Sequence, residues 1–225
     1  MSIKKLVSMV ATTAAIVGLT IPSGHATITQ AFSLAELNQG PYTLETFESG
    51  ITTPGVIYSA SGGVSQAYAP VYASSVTPSG SYGLSNTSLS SFAPPLTLSF
   101  AVPTSSVGMY FGNDDSCCVS AFSAFLDIFG VGGLLGTISV SANMNDFADQ
   151  FLGFTSDQLV DSVTLRYATD SGAGISNVGL FLYIDDVRFN VANATVPEPA
   201  IWTLLGIGLL GLGVFRSTPQ RRVMG

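Results

Sequence analysis

The chain has 225 residues, 47% hydrophobic and only 9% charged, with 24 glycines and 11 prolines. It is too apolar for a disordered chain and too rich in glycine and serine for a helical bundle. Residues 27–195 hold two basic side chains, Arg166 and Arg188, against thirteen acids, a net charge of −11. Such a domain repels nucleic acid and anionic membrane surfaces, and nucleic-acid binding is excluded because neutralising phosphates needs clustered lysine or arginine.

Residues 1–26 have the three parts of a secretory signal peptide. Lys4 and Lys5 supply the positive start, residues 6–19 the apolar stretch, and Gly24-His25-Ala26 a small-x-small cleavage site. Thr27 is then the expected new N-terminus, and residues 27–195 the extracytoplasmic domain.

Short alternating runs follow, separated by Gly, Pro, Asn and Ser, and they predict strands at 43–47, 56–60, 96–101, 107–111, 122–129, 134–142, 150–154, 160–167 and 178–191. The expected fold class is all-β, an antiparallel β-sandwich of jelly-roll type. Residues 57–93 alternate little; Tyr58, Tyr68, Tyr72 and Tyr82 sit there among Ser, Ala, Gly and Pro. They read either as aromatic faces offered to a sugar or as ordinary tyrosines of a β-meander. The only tryptophan, Trp202, lies outside the domain.

Asn113-Asp114-Asp115 reads as a turn, and Cys117 and Cys118 follow it directly. In an exported chain these cysteines have three options: a strained vicinal disulfide that fixes the turn, two buried thiols, or an intermolecular link. The turn at 113–116 favours the first. Gly130-Val131-Gly132-Gly133 reads as a hairpin turn rather than a phosphate loop. A single helical turn is the one competing element, at 143–151.

The last strand carries the sharpest local pattern, Leu182-Tyr183-Ile184-Asp185-Asp186-Val187-Arg188-Phe189. Strict alternation puts Tyr183, Asp185, Val187 and Phe189, continued back by Phe181, on the core face, and Leu182, Ile184, Asp186 and Arg188 on the other. Asp185 is then a carboxylate within an apolar row and needs a cation, an arginine such as Arg166, or backbone N–H groups.

At the C-terminus, Val196-Pro197-Glu198-Pro199 precedes residues 200–215, sixteen positions without a charge, and Arg216, Arg221 and Arg222 come after. At about 1.5 Å per residue such a helix covers about 24 Å, short for a bilayer core of about 30 Å. The trailing arginines would hold it with everything before Pro197 outside the inner membrane. This order of motif, short transmembrane helix and basic end resembles the PEP-CTERM sorting signal, which occupies 196–225 here. The resemblance implies recognition by exosortase, cleavage near 196–199, and delivery to the cell surface or the extracellular polysaccharide matrix.

The last strand is also similar to the closing strand of the jelly-roll, carbohydrate-binding-like domains that precede such tags, whose first strand carries acids; here that is Thr43-Leu44-Glu45-Thr46-Phe47-Glu48. The resemblance implies neighbouring first and last strands, so that Glu45 or Glu48 joins Asp185 or Asp186 around one structural Ca²⁺, a hard cation that takes oxygen ligands. The plain alternative leaves Asp185 hydrogen-bonded and Asp186 solvated.

The only histidine, His25, and both lysines lie in the signal segment. Ser-His-Asp, Cys-His and His-metal chemistry therefore lose their proton carrier or ligand. Carboxylate pairs remain, but Glu45 and Glu48 would fall on opposite faces of a strand, and Asp146 and Asp149 meet only if a helical turn forms. The expectation is a non-enzymatic structural or adhesive matrix component, with a dedicated carbohydrate-binding module as the alternative and a carboxylate glycoside hydrolase or lyase well behind.

Overall fold

The computed structural model describes residues 26–37, 40–68, 77–86, 94–112, 121–145, 147–169, 171–173, 175 and 182–190. Residues 1–25 of the predicted signal segment, Tyr72, the turn at 113–115, Cys117, Cys118, Asp146 and the whole C-terminal tag lie outside the described residues.

Ten strands are present among the described residues: β1 (Ile28–Ala31), β2 (Tyr42–Glu45), β3 (Val56–Ala60), β4 (Val64–Tyr68), β5 (Tyr82–Asn86), β6 (Leu96–Gly112), β7 (Ser123–Gly130), β8 (Gly133–Ser141), β9 (Gln150–Ala168) and β10 (Tyr183–Asn190). Every pairing is antiparallel. One single-turn 3-10 element, Leu34–Glu36, follows β1.

Two long strands organise the domain. The first part of β6 pairs with β3 and with the end of β9, which in turn pairs with β7. The second part of β6 pairs with β10 and with the start of β9, which pairs with β1. Between these parts the register slips twice, between Ser99 and Thr104 and between Thr104 and Ser106. Pro103, which has no N–H to give a ladder, falls within the slip. The runs predicted at 96–101 and 107–111 are thus one bent strand, and so are those at 150–154 and 160–167.

The two half-sheets share one core. Leu96, Leu98, Phe100, Leu126, Ile128, Val163 and Leu165 come from one, and Val107, Met109, Phe111, Leu152, Phe154, Ile184 and Phe189 from the other. Their contact is direct: Phe100 lies against Phe189 with ring centroids 5.2 Å apart, and Phe111 meets Tyr167 edge-on at 6.2 Å. The first pair sits beside the bend and the second at the opposite end. Outside the core, Leu37, Ala31 and Phe151 form a small apolar cluster beneath the 3-10 turn.

The described part of residues 57–93 fits the β-meander alternative: β4 and β5 pair, Tyr68 opposite Tyr82. One expectation is corrected here. The described residues of 143–151 form no helical turn: Asn143 and Asn145 accept hydrogen bonds from the backbone N–H groups of Asn145 and Phe147, two residues on in each case. Short amide side chains that bond their own backbone compete with helix in this way.

Candidate functional site

The most unusual backbone on β10 lies at Asp185 and Asp186. Up to Asp185 the strand pairs with β6 in one register, Tyr183 with Gly112 and Asp185 with Tyr110; from Arg188 onwards the register has shifted. Asp186 has φ +48°, the left-handed region that Asp tolerates better than most residues. The bulge reverses the alternation. Leu182 and Ile184 before it and Val187 and Phe189 after it all enter the main core, whereas Tyr183 joins Ala67 and Ala148 on the other side. The strictly alternating face assignment is therefore wrong for the first half of the strand, because one extra residue inverts every side chain upstream of it.

Asp185 is fully buried. Its Oδ1 accepts the Asp186 N–H at 2.7 Å, and its Oδ2 lies 3.4 Å from the Ser79 N–H. Burial pushes its carboxyl up to about 7, and the negative charges of Asp186 and Glu48 add to the effect. The Ser79 hydroxyl donates to Asp186 at 2.6 Å. Glu48, at the surface, accepts from the backbone N–H groups of Ser81 and Tyr82 at 2.8 and 2.7 Å. One loop, Ser79-Gly80-Ser81, thus contacts all three acids, and no sequence signal places it there.

Glu45 takes a different part. It is buried, and its two oxygens accept the N–H groups of Phe47 and Thr53 at 2.9 and 2.8 Å. It ties down the β2–β3 loop around Phe47, a fully buried residue with φ +59°. Asp185 and Asp186 meet Ser79 and Glu48 meets Ser81 and Tyr82, whereas Glu45 is occupied by the β2–β3 backbone. Among the described residues no three acidic, cysteine or histidine side chains are grouped closely enough to hold a metal ion as they stand.

Arg166 is engaged elsewhere. Its Nε donates to Asp127 at 2.7 Å, and its guanidinium carbon lies 4.6 Å from the centre of the Phe125 ring. Arg188 donates to the Leu34 carbonyl oxygen and stacks over Tyr42 at 3.6 Å. Asp149 accepts from the side-chain amides of Asn143 and Asn145.

The tyrosines separate clearly. Tyr58 is a core residue, 7% exposed and edge-on to Phe47 at 5.5 Å, so it cannot offer a face to a sugar. Alternation along β3 explains this: Val56 and Tyr58 point inward while Ile57 points out. Tyr68 and Tyr82 are 46% and 36% exposed, cross-strand partners with ring centroids 5.4 Å apart. The Tyr82 backbone also donates to Glu48, so the aromatic pair adjoins the acidic group.

Comparison with known proteins places one further feature. The model of the PEP-CTERM protein-sorting motif matches residues 195–217. The chain carries a PEP-CTERM tag. A tag of this kind marks an exported protein that is anchored through its C-terminus before exosortase processes it. No curated protein sequence matches the chain. Among solved structures, the tagged chain is similar to the K2 cleaved adhesin domain of Lys-gingipain, at 15% identity and a TM-score of 0.40, over 67% of this chain and 99% of that one. It is also similar to TmCBM61 in complex with beta-1,4-galactotriose, at 16% identity and a TM-score of 0.34, over 65% and 94%. The CBM22-1 xylan-binding domain of Paenibacillus barcinonensis Xyn10C is similar at 15% identity and a TM-score of 0.36, over 68% and 95%.

Proposed function

We propose that this chain is a non-enzymatic structural or adhesive component of the bacterial extracellular polysaccharide matrix or cell surface. In this reading residues 27–195 form a jelly-roll sandwich, held at the inner membrane by a helix at 200–215 until exosortase cuts near 196–199. The observation that carries it is the sorting motif at 195–217 behind an acidic, strand-rich domain with no lysine or histidine. Removing exosortase from the producing cell tests it. The protein should then accumulate in the inner-membrane fraction and vanish from the extracellular material; an unchanged distribution rejects the reading.

A second reading, a dedicated carbohydrate-binding module, is favoured by the exposed Tyr68–Tyr82 pair, since paired aromatic faces at a sheet edge suit the apolar face of a sugar ring. Binding to a glycan array separates the two: a matrix component has no preferred sugar, a module has one.

Calcium is the remaining part of the proposal. Glu48, Asp185 and Asp186 are hard oxygen donors, and a divalent cation beside Asp185 would offset the burial and the neighbouring negative charges that hold its proton on. Side chains would have to rotate away from Ser79, Ser81 and Tyr82 to converge on one ion. Its role would be structural, fixing the bulge of β10 against the 77–82 loop.

A further inference from the structure

The chain enters and leaves the domain at the same end. At the start of β1, Ile28 pairs with Ser156 and the Thr27 N–H donates to Asp157 at 2.8 Å. At the end of β10, Phe189 pairs with Val107, whose neighbour Ser106 pairs with Thr155. Both termini therefore lie beside the bend of β6 and β9.

That same end bears bare apolar side chains. Val102 lies in the β6 bend and is 50% exposed; Leu159, in the β9 bend, is 48% exposed. The β7–β8 hairpin tip adjoins Leu159: Gly130 is so near the Leu159 carbonyl oxygen that a Cβ there would stand 2.6 Å from it. The tip adds Val131, 94% exposed, and Leu134, 60% exposed. Apolar side chains gathered at one tip of a polar domain mark a contact surface.

We infer that this end is a membrane-docking surface, and that the domain rests it on the outer leaflet of the inner membrane while the C-terminal tag is uncut. What selects lipid as the occupant is the chain that follows. Only nine residues, 191–199, separate Asn190 from the apolar run at 200–215, and nine residues span at most about 30 Å. The shortest path from β10 to the bilayer brings Val131, Leu134, Leu159 and Val102 to the headgroup region. The tether holds them at high local concentration, so that a small apolar contact suffices against the repulsion between an acidic domain and anionic lipid. The valines and leucines would then sit in the interface beside the scissile segment and orient it for a membrane peptidase.

The inference rests on reading 200–215 as the anchor, and the test separates the two. The full chain is reconstituted into vesicles of phosphatidylethanolamine and phosphatidylglycerol that contain nitroxide-labelled lipids. In the unaltered chain the sole tryptophan, Trp202, reports the anchor: quenching by a deep nitroxide supports insertion, and its absence overturns both readings. With Trp202→Phe as background, Val131→Trp should be quenched by a shallow nitroxide and shift to the blue. Phe147→Trp, at the opposite end where the Phe147 carbonyl oxygen approaches Gly112, should not. An inserted Trp202 with an unquenched Val131→Trp overturns the docking surface alone, and so does equal quenching at both ends.

Discussion

Gly80 lies against the carboxylate of Glu48, so closely that a single added carbon would collide with all three carboxyl atoms. Gly80 also has φ +55°, a conformation that costs a residue with a Cβ roughly 1 kcal/mol or more. Gly80→Ala should therefore destabilise the domain by about 1–2 kcal/mol, since the exposed Glu48 carboxylate must also swing aside and give up its bonds to Ser81 and Tyr82. Glu48→Ala in the same chain should recover part of the loss by removing the obstacle. Chemical denaturation of the single and double variants measures this, and additive losses would contradict the packing described.

Asp185 makes stability depend on pH in an unusual direction. An unperturbed Asp releases its proton near 3.8, whereas burial and the charges of Asp186 and Glu48 hold it to about 7 in the folded protein. Between those values the native state binds more protons than the unfolded chain, so stability falls as pH rises. The contribution is full below about 3.8 and lost as pH rises through about 7, on the order of 4 kcal/mol. Asp127 has the opposite sign: burial raises its carboxyl, but hydrogen bonds from Arg166 and Thr137 and the guanidinium charge outweigh that. Its contribution is present above 3.8 and lost at lower pH. Thermal midpoints from pH 4 to 8 should decline, and Asp185→Asn should flatten the decline. Bound calcium would flatten it too, and a chelator would restore it.

Glu45 offers a contrast between a structural acid and a ligand. Its oxygens satisfy two backbone N–H groups of the β2–β3 loop, and charge-assisted bonds of this kind are worth roughly 1.5–3 kcal/mol each. Glu45→Ala should cost about 3 kcal/mol with or without calcium. A loss that appears only in the presence of calcium would make Glu45 a ligand instead.

The tyrosines should respond in opposite ways. The Tyr58 hydroxyl is buried with no hydrogen-bond partner among the described residues, so Tyr58→Phe should leave stability unchanged or raise it by about 1 kcal/mol. Tyr68→Ala and Tyr82→Ala remove exposed rings and should cost less than about 1 kcal/mol, because little is buried. If the domain captures a glycan, these two variants should lose it while Tyr58→Phe retains it, as read by titration calorimetry.

Much of this architecture was legible in local pattern. The run at 56–60 alternates cleanly and forms β3 with those bounds, and the glycines at 130–133 make the β7–β8 turn. What pattern could not reveal was geometry that alternation does not encode. A bend with two slips around Pro103 joins runs that look separate, and the left-handed Asp186 inverts the faces of β10. The β4–β5 hairpin was hidden because serine, alanine and glycine give little hydropathy contrast between faces. A carboxylate in the apolar row of β10 calls for a cation, an arginine or backbone N–H groups, and N–H groups reach Asp185 in the structure. Only the folded chain brings Ser79 to that point, across 106 residues.

The central claim, export followed by removal of the tag, is tested most directly by the intact mass of the protein recovered from outside the producing cell. One species is expected, beginning at Thr27 and ending within 196–199, without the apolar run and the arginines that follow it. Recovery of the 225-residue chain from the cytosol with both ends intact would contradict it.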